Sequence, residues 1–157
     1  MKTIFISGIE TISLDQFNLY YRPRLLELCK NPEINFNISD DTGCSALVQD
    51  LLIKTLPEEQ LKRVVVFCLH SPQYVLSEGF HLVGGFNTLE ERNAAMTVTS
   101  DADYHIILSG RGKSAVENNI CRRNSPEYDF SKFLLKGNFE FWSLMFKQEE
   151  ESVEKGE

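Results

Sequence analysis

The chain has 157 residues, a net charge of −7 and an isoelectric point near 5.0. That length fits a single domain with one core. The acidic balance argues against a nucleic-acid partner, which needs a dense basic surface.

The first residues, MKTIFISGIE, carry one lysine and a short apolar run broken by polar residues. They read as a strand over Thr3–Ser7, ended by Gly8, and not as a secretory signal. No run reaches the length of a membrane span, so a cytoplasmic protein that avoids the membrane is expected. Residues 15–30 carry a helical stripe of Phe17, Tyr20, Leu25, Leu28 and Cys29. Pro23 should kink that helix or delay its start. Ile34–Ile38 is a second strand, Ser39 to Gly43 is turn chemistry, and Cys44–Leu56 has helical periodicity. Arg63–Leu69 (RVVVFCL) is a continuous β-branched run, as expected of a parallel strand covered on both faces.

Residues 70–88 form a long stretch rich in Gly and Pro, which implies a functional loop or a short element inside it. A helix over Thr88–Val98 follows, with Asn87 or Thr88 as its cap and Glu90 and Glu91 at its positive end. Tyr104–Leu108 is the next strand, then SGRG, then a helix from Lys113 to Arg123. The segment 128–148 is rich in Phe and Trp, and 149–157 is an acidic tail expected to be disordered. The expected fold is α/β, a Rossmann-like, doubly wound, mainly parallel sheet of about four to five strands with helices on both faces. Residues 1–148 would form its single domain.

In such sheets ligands sit beyond the C-terminal ends of the strands. Those ends carry SGIE, SDDTG, the 70–88 loop and SGRGKS. The last resembles a phosphate loop, but GxxxxGK[ST] would need glycine at position 107, where Ile107 stands. The physics of the site survives that mismatch. Gly110 and Gly112 permit close backbone approach, free N–H groups at a helix start favour an anion, and Arg111 and Lys113 add charge. Asp40 and Asp41 are the best-placed carboxylates for catalysis, with an Asx turn as the alternative. Cys44 lies near a helix start, which would lower its pKa, but with no histidine partner assignable it reads as a small buried helix residue. His70, His81 and His105 read as structural, since no carboxylate is assignable to them. The four cysteines, Cys29, Cys44, Cys68 and Cys121, form no CxxC pair. No metal site and no cofactor are expected.

Read together, IFISG, SDDTGCSALVQDLL, VVVFC and ERNAAMTVTSDADYHIILSGRGKSAVENNICRR resemble small Rossmann-like proteins of the SLOG type. That group includes the Lonely Guy phosphoribohydrolases and relatives of nucleoside 2-deoxyribosyltransferases. The resemblance covers roughly residues 1–123 and is most specific over 91–123. Gly8 matches the first turn, with Ile9 and Glu10 where that group carries Arg. Asp40, Asp41 and Gly43 match the second loop. Arg92 and Met96 match a helix, with Asn93 replacing its acid. Lys113, Ser114, Asn119 and Ile120 match the last loop, with Ala115 and Val116 in place of Gly-Thr.

The resemblance implies binding of a nucleotide or nucleotide-derived small molecule. Gly8, Glu10, Gly43, Arg92, Gly110, Arg111, Gly112, Lys113, Ser114 and Asn119 would then contact the ligand. One alternative is a nucleoside or nucleotide N-glycosidase using Asp40, Asp41 or Glu10. Another is a non-catalytic protein-interaction module acting through the aromatic segment. A homodimer is a further expectation drawn from the same group.

Overall fold

The computed structural model describes residues 2–108 and 110–124. The aromatic segment 128–148 and the acidic tail 149–157, with what was expected of them, lie outside the described residues. Five strands are present among the described residues: β1 (Lys2–Ile6), β2 (Ile34–Ser39), β3 (Val64–Phe67), β4 (His81–Val83) and β5 (Ala102–Tyr104). They form one sheet of order β4-β3-β2-β1-β5 in which every pairing is parallel. The Rossmann-like α/β architecture expected from the sequence is therefore present.

Alternation along the strands divides the side chains between two faces. Ile4, Ile6, Phe36, Ile38, Val64 and Val66 belong to the larger core, together with Phe17, Leu25, Val48 and Leu52 of three helices. These are α1 (Leu14–Tyr20), α2 (Arg22–Cys29) and α3 (Cys44–Thr55). Phe5 and Phe67 point to the other face and pack with Ala95 and Met96 of α4 (Leu89–Val98). Asn37, also on that face, donates to the Met96 carbonyl at 3.1 Å and to Thr99 Oγ1 at 2.7 Å, so α4 is fastened as well as packed. α5 (Lys113–Asn124) follows β5 and contacts α4.

The stretch expected as one helix over 15–30 is two. Ser13 caps α1 in a capping box with Gln16. The helix ends at Tyr21, and Pro23 falls in the first turn of α2, where its missing N–H costs nothing. The 70–88 stretch holds a short element, the edge strand β4, which is joined to β3 without a crossover helix. Thr88 caps α4 by accepting from the Glu91 N–H at 3.1 Å.

The strand expected over Tyr104–Leu108 begins two residues earlier. Its ladder partner β1 ends at Ile6, opposite Tyr104, so pairing stops there. Leu108 instead forms a bridge with Arg111. Asp103 thus lies inside β5. It is buried, with Arg123 gripping both its oxygens at 2.7 and 2.8 Å. Asp101, just before β5, accepts from the Thr3 N–H at 2.8 Å.

β2, β3 and β4 lie on one side of β1, and β5 lies on the other. The sheet's topological switch point is therefore the gap between β1 and β5. The Tyr21 hydroxyl spans that gap, donating to the Ser7 carbonyl at 2.8 Å and accepting from the Ile106 N–H at 3.0 Å. It replaces the ladder just where the two strands part. No helix among the described residues is long and apolar enough to cross a membrane.

Candidate functional site

A pocket of about 410 Å³ opens at this switch point. Its floor is formed by residues at the ends of β1, β2 and β5, including Ser7, Gly8, Ser39 and His105. Its walls are the start of α4 and one face of α5. From α5 it takes Ala115, Asn118, Asn119 and Arg122. That spacing is i, i+3, i+4, i+7, a single helical face.

On the β2 side the pocket is built around Arg92, which is buried on α4. Its guanidinium donates to Asp41 Oδ1 and Oδ2 at 3.1 and 2.9 Å, to Asp40 Oδ1 at 3.3 Å and to Asn93 Oδ1 at 3.1 Å. The two carboxylates have different duties. Asp40 is buried, and its second oxygen accepts from the Gln73 N–H at 2.7 Å, tying the β3–β4 connection to the end of β2. Asp40 lies behind the pocket lining, accepting from Arg92 and from the Gln73 N–H.

Asp41 is also gripped at both oxygens by Arg92, but it is less buried and lines the pocket. It accepts from Ser39 Oγ at 2.9 Å, and its side chain is 46% exposed toward the pocket. Ser39 Oγ directs its one proton to Asp41, so the 3.0 Å contact between Ser39 and Ser45 has Ser45 as donor. Partial burial of Asp41 raises its pKa. The hydrogen bonds and charge of Arg92, with the Ser39 hydroxyl, outweigh that and hold the carboxyl below its ordinary value. It is therefore an ionised acceptor at neutral pH.

At the junction of β1 and β5, Ser7 Oγ lies 2.8 Å from His105 Nδ1. His105 is buried, and desolvation pushes its pKa down to about 4, so the ring is neutral at physiological pH. Its Nε2 has no partner among the described residues. The backbone of Gly112 lies against that nitrogen, and a Cβ placed on Gly112 would sit 2.6 Å from it.

On the α5 side, Arg122 donates to Asn119 Oδ1, lies 3.5 Å from Glu90 Oε2 and reaches Thr97 Oγ1 at 3.5 Å. Glu10, exposed at the rim, accepts from Thr42 Oγ1 at 3.0 Å.

Of the residues singled out in the sequence, the pocket brings together Gly8, Glu10, Asp41, Arg92 and Asn119. Asp40 stands behind it. Gly43 lies outside its lining. It adopts φ +79°, and the backbone of Glu10 passes too close for any side chain, since a Cβ there would fall 2.3 Å from the Glu10 carbonyl oxygen. Gly110, Arg111, Gly112, Lys113 and Ser114 also fall outside the lining. The reason is helical phase: α5 begins at Lys113 and turns 115, 118, 119 and 122 inward, leaving Lys113 and Ser114 exposed. Arg111 is tied to the Leu108 carbonyl at 3.2 Å and to Thr11 Oγ1 at 3.1 Å.

His70, bound to Asn87 at 2.8 Å, and His81 on β4 are exposed and do not line the pocket. Burial pushes the Cys44 thiol up to about 12, opposite to the lowering expected at a helix start. Sequence reasoning missed Ser7, Ser39, Ser45, Asn93 and Arg122. The i, i+3, i+4, i+7 spacing on α5 points to Arg122 only once that helix face is known to line the pocket. Once the fold is α/β, the serines at the ends of β1 and β2 follow from position alone.

No protein family, curated protein or solved structure matches this chain.

Proposed function

We propose that this pocket binds a nucleotide-derived small molecule through its ribose. The observation that carries the reading is Asp41. It stands just past β2, ionised and held from behind by Arg92 and Ser39, with its remaining acceptor capacity facing a concave polar pocket at the switch point. A fixed carboxylate of that kind suits the two hydroxyls of a ribose diol, which it accepts in the manner usual for doubly wound sheets. The pocket volume suits a ligand of nucleoside size.

A thermal-shift panel of nucleosides, nucleotides and cyclic nucleotides tests this. The ribose compounds should raise the melting temperature more than their 2′,3′-dideoxy counterparts, and Asp41→Asn should remove that difference. Equal shifts for ribose and dideoxyribose would sink the diol contact. No shift with any compound would sink the whole reading.

A second reading, N-glycosidic cleavage, is supported by one feature: Glu10 and Asp41 present carboxylates to the same cavity. Two such groups are the minimum for stabilising an oxocarbenium-like centre and assisting the attacking nucleophile. Release of free base from a nucleoside or nucleoside monophosphate, lost in Asp41→Asn, would favour it. Stoichiometric binding without base release would leave the pocket a binding site.

A further inference from the structure

We infer that the occupant of this pocket is an unphosphorylated nucleoside, and that a 5′-phosphate weakens binding. This rests on the ribose reading above and adds the charge of the ligand.

The first observation is the charge lining the cavity. Three carboxylates face it, Glu10, Asp41 and Glu90, against two guanidinium groups, Arg92 and Arg122. Neither arginine is free for an incoming anion. Arg92 already serves two carboxylates, Asp40 and Asp41, at 3.3 and 2.9 Å. Arg122 faces Glu90 at 3.5 Å and is held by Asn119. The remaining titratable group on the floor, His105, is neutral, since burial holds it at about 4. A phosphate dianion entering the cavity meets net negative charge and must displace a carboxylate from an arginine to find a partner. Like-charge contact of this kind is a strong discriminator in a partly desolvated site.

The second observation is the location of the other cations. Arg111 and Lys113, the residues that suggested a phosphate cradle, do not line the cavity. The Arg111 guanidinium is engaged by the Leu108 carbonyl and Thr11. The face that α5 turns inward carries two neutral carboxamides, Asn118 and Asn119, and one guanidinium, Arg122, which is already engaged by Asn119 and Glu90.

The third observation concerns those neutral groups. A guanidinium has donors only, so the atom of Asn93 facing Arg92 and the atom of Asn119 facing Arg122 must both be Oδ1. Each amide is thereby fixed with its NH₂ turned away from the arginine. Asn93 and Asn119 both line the cavity. The arginines thus act as orienting groups for two neutral donors, which suit carbonyl or ring-nitrogen acceptors of a base. An ionised acceptor for hydroxyls and neutral donors for a base, in one cavity, together describe a nucleoside.

Calorimetric titration of the full chain with adenosine, guanosine, cytidine and uridine, each beside its 5′-monophosphate, tests the inference. The nucleoside of at least one pair should bind about tenfold or more tighter than its monophosphate. The gap should narrow as salt is raised, because the repulsion is screened. It should also narrow several-fold in Glu10→Gln/Glu90→Gln, whose two sites are exposed and tolerate the change without loss of fold. Monophosphates that bind as tightly as nucleosides, with Asp41→Asn still weakening both, would overturn the charge inference and leave the ribose reading standing. A gap indifferent to salt and to the double variant would overturn its electrostatic cause. Failure of every nucleoside and nucleotide to bind at millimolar concentration would overturn both.

Discussion

The two ends of the pocket are built from opposite kinds of sequence. At the β2 end, Asp40 and Asp41 sit in an ordinary turn, and their arginine arrives from about fifty residues away on α4. Together they make a cross-braced cluster that faces the cavity. At the α5 end, SGRGKS gathers glycines and cations within six residues, yet its cations lie outside the cavity and its arginine is used to close a turn. A dense local motif makes the weaker contribution, and a dispersed one makes the stronger. Helical phase explains this: what a helix offers a pocket is decided by the face that packs inward, not by the residues nearest its start.

The sharpest way to break this comparison is to remove the two arginines in turn. Arg92→Ala leaves Asp40 buried with its cation gone, the situation that costs about 3–5 kcal/mol when one partner of a buried pair is deleted. Part of the Asp41 contribution is discounted because that carboxylate is half exposed. Arg111→Ala removes an exposed side chain and should stay within about 0.5 kcal/mol. Urea unfolding of the two variants measures the difference. Similar losses would mean that the SGRGKS turn supports the fold as much as the cluster does.

Most of the architecture is legible in the order of residues alone. The β-branched runs at 3–7, 34–38 and 63–69 could only be buried strands, and the helical stripes between them required a parallel sheet. What escaped was of two kinds. β4 is three residues long and exposed along the sheet edge, so it has too little apolar signal to separate it from loop. Beyond Ala115 the inward face of α5 is polar, Asn118, Asn119 and Arg122, and polar periodicity looks like solvent exposure until something is known to lie opposite. Asp103 escaped for a related reason. An acid in SDADY reads as turn chemistry unless its partner Arg123, twenty residues on, is known to return to it. Site residues drawn together by topology carry little local signature. Asp41 and Arg92 were found because of resemblance and position, and Ser7 was not found at all.

The floor between the two ends offers a pH test. His105 has its pKa lowered to about 4 by burial, against an ordinary value of 6.5. Between those values the unfolded chain takes up a proton that the folded chain refuses. The His105 contribution to stability should therefore be flat above about pH 6.5, fall as the pH drops from 6.5 toward 4, and lose about 3 kcal/mol in that window. Asp41, held below its ordinary value, adds its own loss only at more acid pH. Urea midpoints across this range should show the slope in the native chain and lose it in His105→Asn, which keeps a hydrogen-bonding group near Ser7 without a titrating ring. An unchanged slope in that variant would assign the acid sensitivity elsewhere and remove the case for a neutral floor.

The smallest expected effect separates two glycines of the same turn. Gly110 and Gly112 both have positive φ, +76° and +88°, so alanine at either is strained by about 1 kcal/mol. Their surroundings differ. A Cβ at Gly110 meets nothing within 4 Å among the described residues, whereas one at Gly112 falls 2.6 Å from His105 Nε2 and 2.8 Å from Ile9 Cγ2. Neither neighbour can retreat easily, because His105 and Ile9 are both buried. Gly112→Ala should therefore cost about 1 kcal/mol more than Gly110→Ala. It should also shift the His105 ring resonances in an NMR spectrum, which Gly110→Ala should leave in place. If the two substitutions cost the same and the imidazole does not respond, the turn does not rest on the pocket floor. Its glycines would then serve the chain reversal alone, and the SGRGKS segment would have no hold on the pocket floor through His105.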